Sequence, residues 1–163
     1  MARILVAGCG CRGEALARRL LERGHAVRAT TRRPGRVAEL ESRGIEAAVA
    51  DPDRLVTLLP LFEGASALCW LMGSAAGPPE QIAALHGERL HALLETLVDT
   101  HVRGFVYELS HTADPALLER GSEIVRRAEE SHRIRVAMID ERPDAQTAWL
   151  EAAARAVDQV LSA

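Results

Sequence analysis

The chain has 163 residues, of which 48% are hydrophobic, and it carries a formal net charge of −3. This composition predicts one folded domain with a sizeable core, and its charge gives no reason to expect nucleic acid or an anionic membrane as a partner. All 20 basic residues are arginine, which excludes chemistry that needs a lysine, such as a Walker-type P-loop, a Schiff base or a Tyr-x-x-x-Lys dyad.

Apolar runs and helical periodicities alternate along the whole chain. The patterns predict strands over 3–7, 27–31, 45–50, 66–72, 104–109 and 135–139. They predict helices over 12–23, 36–43, 55–61, 80–100, 115–132 and 146–161. Parallel strands joined by helices need right-handed crossovers, which cover both faces of the sheet. We therefore expect a single α/β domain over 1–163, a three-layer Rossmann fold whose six-stranded parallel sheet has the order 3-2-1-4-5-6.

A glycine turn joins the first predicted strand to the first helix. Gly8, Gly10 and Gly13 have the GxGxxG spacing, in which the first glycine makes the tight turn, the second lets phosphates approach the backbone and the third lets helix and strand pack closely. The helix that starts near Cys11 and Arg12 offers its free N–H groups to an anion. The pattern predicts a binding site for the pyrophosphate of a dinucleotide.

The end of the second strand indicates which dinucleotide binds. An NAD site usually has an acidic residue there, but this chain has Thr31, Arg32 and Arg33 and no carboxylate. Because arginine pairs well with phosphate, and Arg12 could add a third positive group, we predict NADP(H) ahead of NAD(H). The alternative is that Arg32 and Arg33 are solvated loop residues.

Four segments carry a resemblance to a known superfamily: 7–13, 29–33, 50–53 and 105–110. Through them the chain resembles the short-chain dehydrogenase/reductases, in the atypical and extended NAD(P)-binding group that includes epimerase-like and NmrA-like proteins. The resemblance implies that Asp51, after the third strand, approaches the adenine. It also implies that the small-residue loop after the fourth strand, at Gly73 and Ser74, follows the cofactor.

The chain departs from that superfamily in its catalytic residues. Members use a serine or threonine after the fifth strand, followed by a tyrosine and a lysine on the next helix. Ser110 suits the serine position, but Tyr107 lies inside the fifth strand and no lysine exists. His111 is an alternative acid–base residue, or an exposed loop residue. Catalytic extended members also have a further substrate-binding lobe, which we do not expect here. The catalytic residues therefore stay unknown, with Ser110 and His111 as candidates.

The cysteines suggest neither a metal nor a disulfide framework. Cys9 and Cys11 are one residue apart, whereas a redox pair is usually C-x-x-C and zinc needs further ligands, so we expect small packing residues and no metal site. Glu108 is unusual in a sheet covered on both faces, and it either reaches the ligand pocket or lies in an exposed part of its strand. Because the chain shows no signal-peptide pattern and no run long enough to span a bilayer, we expect a cytoplasmic protein without a membrane partner.

Three hypotheses about function follow. The first is an NADP(H)-binding, epimerase-like protein that retains redox activity through unidentified residues. The second is a non-catalytic module that senses NADP(H) and reports to a partner. The third is a protein with a vestigial cofactor site that serves only as an interface. By analogy with relatives that pair through a four-helix bundle, we expect a homodimer through the helices over 80–100 and 115–132.

Overall fold

A computed structural model describes residues 1–109 and 114–162. The strands are β1 (Arg3–Ala7), β2 (Ala26–Thr31), β3 (Glu46–Val49), β4 (Ala67–Trp70), β5 (Gly104–Glu108) and β6 (Arg135–Ile139). The α-helices are α1 (Cys11–Glu22), α2 (Gly35–Glu41), α3 (Pro79–Leu85), α4 (Glu88–Leu97), α5 (Pro115–His132) and α6 (Gln146–Leu161). In the part of the chain that the structure describes, no helix is long and apolar enough to cross a membrane.

The six strands form one parallel sheet in the order β3-β2-β1-β4-β5-β6. This order confirms the predicted Rossmann topology. The central strand β1 places Ile4 opposite Val27 of β2 on one side and opposite Ala67 of β4 on the other. Because the strand order reverses between β1 and β4, a crevice opens beyond the carboxyl ends of these two strands.

Alternating side chains of the sheet build two separate cores. Ile4 and Val6 of β1 belong to the core beneath α1 and α6, whereas Leu5 and Ala7 belong to the core beneath α4 and α5. Successive side chains of a strand point to opposite faces, so a fully apolar run such as β1 serves both layers. The helices on the two faces give the three-layer arrangement.

The prediction of one continuous helix over 80–100 was wrong. It is interrupted at His86 and Gly87, which separate α3 from α4, and α4 ends at Leu97. A Cβ on Gly87 would lie 2.9 Å from the carbonyl oxygen of Ala83 and 3.1 Å from the guanidinium carbon of Arg120 on α5. The chain therefore turns where a missing side chain lets α5 approach, and the apolar periodicity on either side conceals the break.

The predicted helix over 55–61 is also replaced, by two short 3₁₀ turns, Leu55–Thr57 and Leu59–Phe62. Pro60 lies in the second turn and has no backbone N–H, so it cannot continue a helical hydrogen-bond ladder that passes through it.

A buried polar pair lies beneath the break between α3 and α4. His86 Nδ1 and the Tyr107 hydroxyl oxygen are 2.6 Å apart, and both side chains are fully buried. Burial lowers the pKa of His86, and the Met72 carbonyl exerts a smaller, opposite effect without being in hydrogen-bond geometry with the ring. Within the described residues, His86 Nε2 has no hydrogen-bond partner. The folded state thus favours the neutral ring.

Stability should consequently fall in acid through His86. In the unfolded chain the imidazole takes up a proton near pH 6.5, whereas in the folded chain it does so only at a lower pH, because burial lowers its pKa. The contribution of the neutral His86 to the free energy of unfolding is therefore complete above pH 6.5 and is lost as the pH falls through the lower pKa of the folded state. The loss is up to about 1.4 kcal/mol for each pH unit over which only the unfolded state is protonated. In urea titrations between about pH 7.5 and about pH 5, His86→Gln should show a smaller decrease in the free energy of unfolding than the wild type. The exposed control His91→Gln should keep the wild-type decrease, and equal slopes for His86→Gln and the wild type would contradict the assignment.

Candidate functional site

The glycine turn between β1 and α1 is built for close approach. Gly8 has φ +92°, and a Cβ there would lie 2.5 Å from the carbonyl oxygen of Leu71. A Cβ on Gly13 would lie 2.7 Å from the carbonyl oxygen of Gly8, so the third glycine lets α1 pack against the turn. Apart from Gly10 itself and its two chain neighbours, no atom of the described residues lies within 4 Å of where a Cβ on Gly10 would be, so this position opens outward. Gly8 and Gly13 thus stand where a side chain would collide with the backbone, whereas Gly10 leaves its outer side open.

The turn borders a large cleft of about 440 Å³ at the carboxyl edge of β1, β2 and β3. This volume lies within the range of small-molecule and cofactor sites. The predicted site residues that line the cleft are Gly8, Gly10, Cys11, Thr31, Arg32, Arg33, Asp51 and Ser74. The structure thus brings together residues from four separate chain segments.

Positive charge is concentrated where β2 ends. The backbone N–H of Arg33 donates to Thr31 Oγ1 at 3.1 Å, and this contact shapes the turn that carries Arg32 and Arg33. Both arginines are exposed and line the cleft. Arg36, in the first turn of α2, lines it as well, and the sequence gives no sign of this because the cofactor pattern covers only the end of the strand. Its guanidinium is 3.1 Å from a carboxylate oxygen of Glu14, so its charge is partly compensated.

Asp51 lines the cleft beside the end of β2, because the N–H of the preceding Ala50 donates to the carbonyl oxygen of Thr31 at 3.0 Å. Its Oδ1 accepts a hydrogen bond from the backbone N–H of Asp53 at 3.0 Å, and its own N–H donates to Thr57 Oγ1 at 2.9 Å. Asp53 in turn accepts from Arg89 of α4 at 3.1 Å. These contacts hold the loop after β3 in place, which positions Asp51 at the edge of the cleft.

A smaller hollow of about 200 Å³ lies on the other side of the glycine turn, towards β5 and α6. Arg12 lines this hollow, and so does Gly13, whereas Arg32 and Arg33 line the large cleft. The Arg12 guanidinium donates to Ser74 Oγ at 2.5 Å and is 3.4 Å from Glu108 Oε2. It also lies over the Trp149 ring, 5.1 Å from its centroid. Arg12 is therefore directed away from the other arginines.

Glu108, at the end of β5, lines this smaller hollow. It is 2% exposed, and its two carboxylate oxygens accept hydrogen bonds from Gly73 N–H at 2.7 Å and from Trp149 Nε1–H at 2.8 Å. Of the two possibilities left open for Glu108, the structure shows the first, because the side chain reaches the hollow from a buried strand. The partners of Glu108 lie far from it in sequence, so no local pattern could have predicted them.

We refer to Arg12, Ser74, Glu108 and Trp149 as the Arg12 bridge. It connects the glycine turn, the loop after β4, the end of β5 and the helix α6. Gly73 is part of the same packing, because a Cβ there would lie 2.6 Å from Glu108 Oε1. The loop after β4 therefore contacts the carboxylate through its backbone.

The candidate catalytic residues Ser110 and His111 lie outside the described residues. Tyr107 is described, and its side chain points into the core beneath α5, where a Cβ on Gly121 would lie 2.1 Å from its hydroxyl oxygen. Burial raises the pKa of the Tyr107 hydroxyl. Tyr107 thus has a packing role and does not line either cavity.

The cysteines of the turn differ in exposure. Cys9 is buried, and desolvation raises the pKa of its thiol to about 11, whereas Cys11 is exposed. Neither is in a disulfide. In the described ranges 1–109 and 114–162, no group of three or more histidine, cysteine, aspartate or glutamate side chains could hold a metal ion.

Removing the carboxylate of the Arg12 bridge should destabilise the fold. Glu108→Ala leaves two buried N–H donors and the Arg12 charge without this partner, so we expect a loss of about 2–4 kcal/mol in the free energy of unfolding. Trp149→Phe removes one hydrogen bond and replaces the buried indole with a smaller phenyl ring, so about 1–3 kcal/mol should be lost. Chemical denaturation measures both. The exposed control Glu41→Ala should change stability by less than about 0.5 kcal/mol, and an equally small effect of Glu108→Ala would refute a structural role for the bridge.

Comparison with known families agrees with this geometry. Residues 8–134 match a family model described as NAD(P)H-binding. The match covers more than half of the chain, so the chain belongs to this NAD(P)H-binding family, which confirms the predicted resemblance to an NAD(P)-binding group. No curated protein matches the sequence.

Solved structures show the same fold at low sequence identity. The UDP-glucose 4-epimerase of Brucella ovis, in complex with NAD, has a TM-score of 0.68 at 13% identity, over 85% of this chain and 51% of that one. The triphenylmethane reductase of Citrobacter sp., complexed with NADP(H), has a TM-score of 0.64 at 17% identity, over 84% and 48%. The serine dehydrogenase of Escherichia coli has a TM-score of 0.66 at 19% identity, over 83% and 79%. The present chain thus spans about half the length of the epimerase and the reductase.

Proposed function

We propose that this member of the NAD(P)H-binding family binds NADP(H) in preference to NAD(H) in the large cleft. The observation that carries the proposal is the set of three arginines, Arg32, Arg33 and Arg36, along the cleft beside the end of β2. An NAD site has a carboxylate at this place for the ribose hydroxyls, and such a carboxylate would repel a 2′-phosphate. Residues 26–36 contain no acidic side chain.

The remaining cleft residues have roles that suit the adenosine half of the cofactor. The N–H groups at the start of α1, beside Gly10 and Cys11, suit the pyrophosphate, because a helix N-terminus attracts anions. Asp51 suits the adenine and Ser74 suits a position along the cofactor, as the resemblance implies, whereas Gly73 lines neither cavity and donates its N–H to Glu108. When bound, NADP(H) supplies a nicotinamide ring that can exchange a hydride, and the protein's part is to bind and orient it.

We place the chain in the atypical group without the Tyr-Lys dyad. Two observations support this assignment: the chain contains no lysine, and its single tyrosine, Tyr107, is buried away from both cavities. The same observations favour a second candidate function, a non-catalytic module that reports NADP(H) to a partner. If the chain is an enzyme, Ser110 and His111 remain the candidates for proton transfer. A cytoplasmic location likewise stays a prediction.

Loss of the arginines should change cofactor choice rather than binding in general. Arg32→Ala with Arg33→Ala removes charge-assisted contacts to the 2′-phosphate, so the affinity for NADP(H) should fall at least about tenfold and that for NAD(H) less than about threefold. Isothermal calorimetry with each cofactor measures both affinities. An equal loss for the two cofactors would refute the phosphate assignment.

The matched control is Arg18→Ala, an exposed arginine of α1 that lines neither cavity. Its affinities should equal those of the wild type. If the wild type binds neither NADP(H) nor NAD(H), both cofactor-based functions fail and the interface-only hypothesis is left.

We also propose a homodimer through α4 and α5. The proposal rests on the analogy with relatives that pair through a four-helix bundle, and α4 and α5 lie next to each other on one face of the sheet, as such a bundle needs. Light scattering should give twice the chain mass of 17.7 kDa. A monomer at all concentrations tested would contradict the dimer.

A further inference from the structure

An acidic side chain of α1 reaches the arginines of α2 beside the large cleft. Glu14 lies in the first turn of α1, its side chain is 13% exposed, and its Oε2 is 3.1 Å from Arg36 Nη2. Its Oε1 contacts the guanidinium of Arg43, which follows the end of α2. Glu39 of α2 lies 3.1 Å from Arg43 and 3.7 Å from Arg36. Two carboxylates and two guanidiniums thus alternate in one group, which we call the Glu14 cluster.

The Glu14 cluster makes Arg36 different from the other two arginines of the cleft. Arg32 and Arg33 are exposed, and within the described residues their guanidiniums make no hydrogen bond or ion pair. The Arg36 side chain is half-buried and is already held by Glu14. Ordering a long, flexible side chain on binding costs affinity, and a side chain that is ordered beforehand avoids this cost. Arg36 is therefore the pre-organised cation of the three.

Arg36 can bind a ligand while it keeps its contact with Glu14. In the part of the chain that the structure describes, its guanidinium donates one hydrogen bond, from Nη2 to Glu14, because Glu39 at 3.7 Å is beyond hydrogen-bond distance. A guanidinium has five N–H donors, so most of them remain for a phosphate. Arg36 lines the cleft and Glu14 lines neither cavity, so the cation rather than the carboxylate faces a bound ligand.

We propose that Glu14 is a positioning residue for the 2′-phosphate of NADP(H), because it fixes the Arg36 guanidinium at the cleft before the cofactor binds. This inference rests on the proposed NADP(H) site. Since NAD(H) lacks the 2′-phosphate, Glu14 affects the binding of one cofactor and not of the other. The helix α1 then serves both charged parts of NADP(H): the pyrophosphate through its first N–H groups, and the 2′-phosphate through Glu14 and Arg36.

Calorimetry on Glu14→Gln with NADP⁺ and NAD⁺ tests the inference, since this variant keeps the size of the side chain and removes its charge. The affinity for NADP⁺ should fall about threefold to tenfold, and that for NAD⁺ should stay within about twofold of the wild type. The matched control is Glu22→Gln, which is also on α1 and also lies near an arginine, Arg19 at 3.7 Å, but lines neither cavity. It should change neither affinity.

Three results with Glu14→Gln would overturn the inference. An equal loss for NADP⁺ and NAD⁺ would mean that Glu14 supports the glycine turn in general. An unchanged affinity for NADP⁺ would mean that Arg36 needs no positioning. A higher affinity for NADP⁺ would mean that the carboxylate competes with the phosphate for Arg36.

A double-mutant cycle separates positioning of Arg36 from a merely structural role. Arg36→Ala alone should lower the affinity for NADP⁺ and leave that for NAD⁺ within about twofold. Adding Glu14→Gln to Arg36→Ala should then change the affinity for NADP⁺ by less than about twofold, because Glu14 acts through Arg36. If the two losses multiply instead, Glu14 acts by another route and the inference is overturned.

The failure of the inference and that of the proposed function give different results. If the wild type prefers NADP⁺ and Glu14→Gln keeps the whole preference, only the inference fails. If the wild type binds neither NADP⁺ nor NAD⁺, the proposed function fails and the inference fails with it. Should Glu14→Gln not fold, Glu14→Asp, which keeps the charge and shortens its reach, takes its place in the same cycle with the same expected direction.

Discussion

The buried carboxylate of Glu108 is the interaction on which the architecture around the glycine turn depends. It comes from the end of β5 and accepts hydrogen bonds from the loop after β4 and from Trp149 of α6, while Arg12 of α1 approaches as its cation. Through these contacts one carboxylate joins the end of β5 to α1, α6 and the loop after β4. A charge at this depth is tolerated because each contact compensates part of the desolvation that burial costs.

The topology followed from the sequence because its determinants are local. Apolar runs, helical periodicity and the GxGxxG spacing each span a few residues, and together with the right-handed crossover rule they favour the observed strand order. The interruption at Gly87 was missed because a lone glycine inside a periodic pattern is compatible with a continuous helix. The interruption depends on the close packing of Gly87 against Arg120 of α5, and that contact joins two segments far apart in the chain.

The candidate site was predictable in part for the same reason. Residues adjacent to strand ends, such as Asp51 and Arg32, follow from the topology, because the carboxyl ends of parallel strands meet at one edge. The direction of the Arg12 side chain does not follow, since it depends on Glu108 and Trp149, which are about 100 residues or more away. Local patterns place a residue at an edge, whereas tertiary partners decide which cavity its side chain enters.

The contact between Glu108 and Gly73 also imposes a steric constraint that couples the sizes of the side chains at positions 73 and 108. The carboxylate occupies the space that a side chain at position 73 would need, since a Cβ there would be 2.6 Å from Glu108 Oε1. A larger residue at 73 requires a shorter one at 108, and a shorter residue at 108 loses the hydrogen bond that Glu108 accepts from the N–H of residue 73. In related sequences the two positions should therefore vary together, although 34 residues separate them.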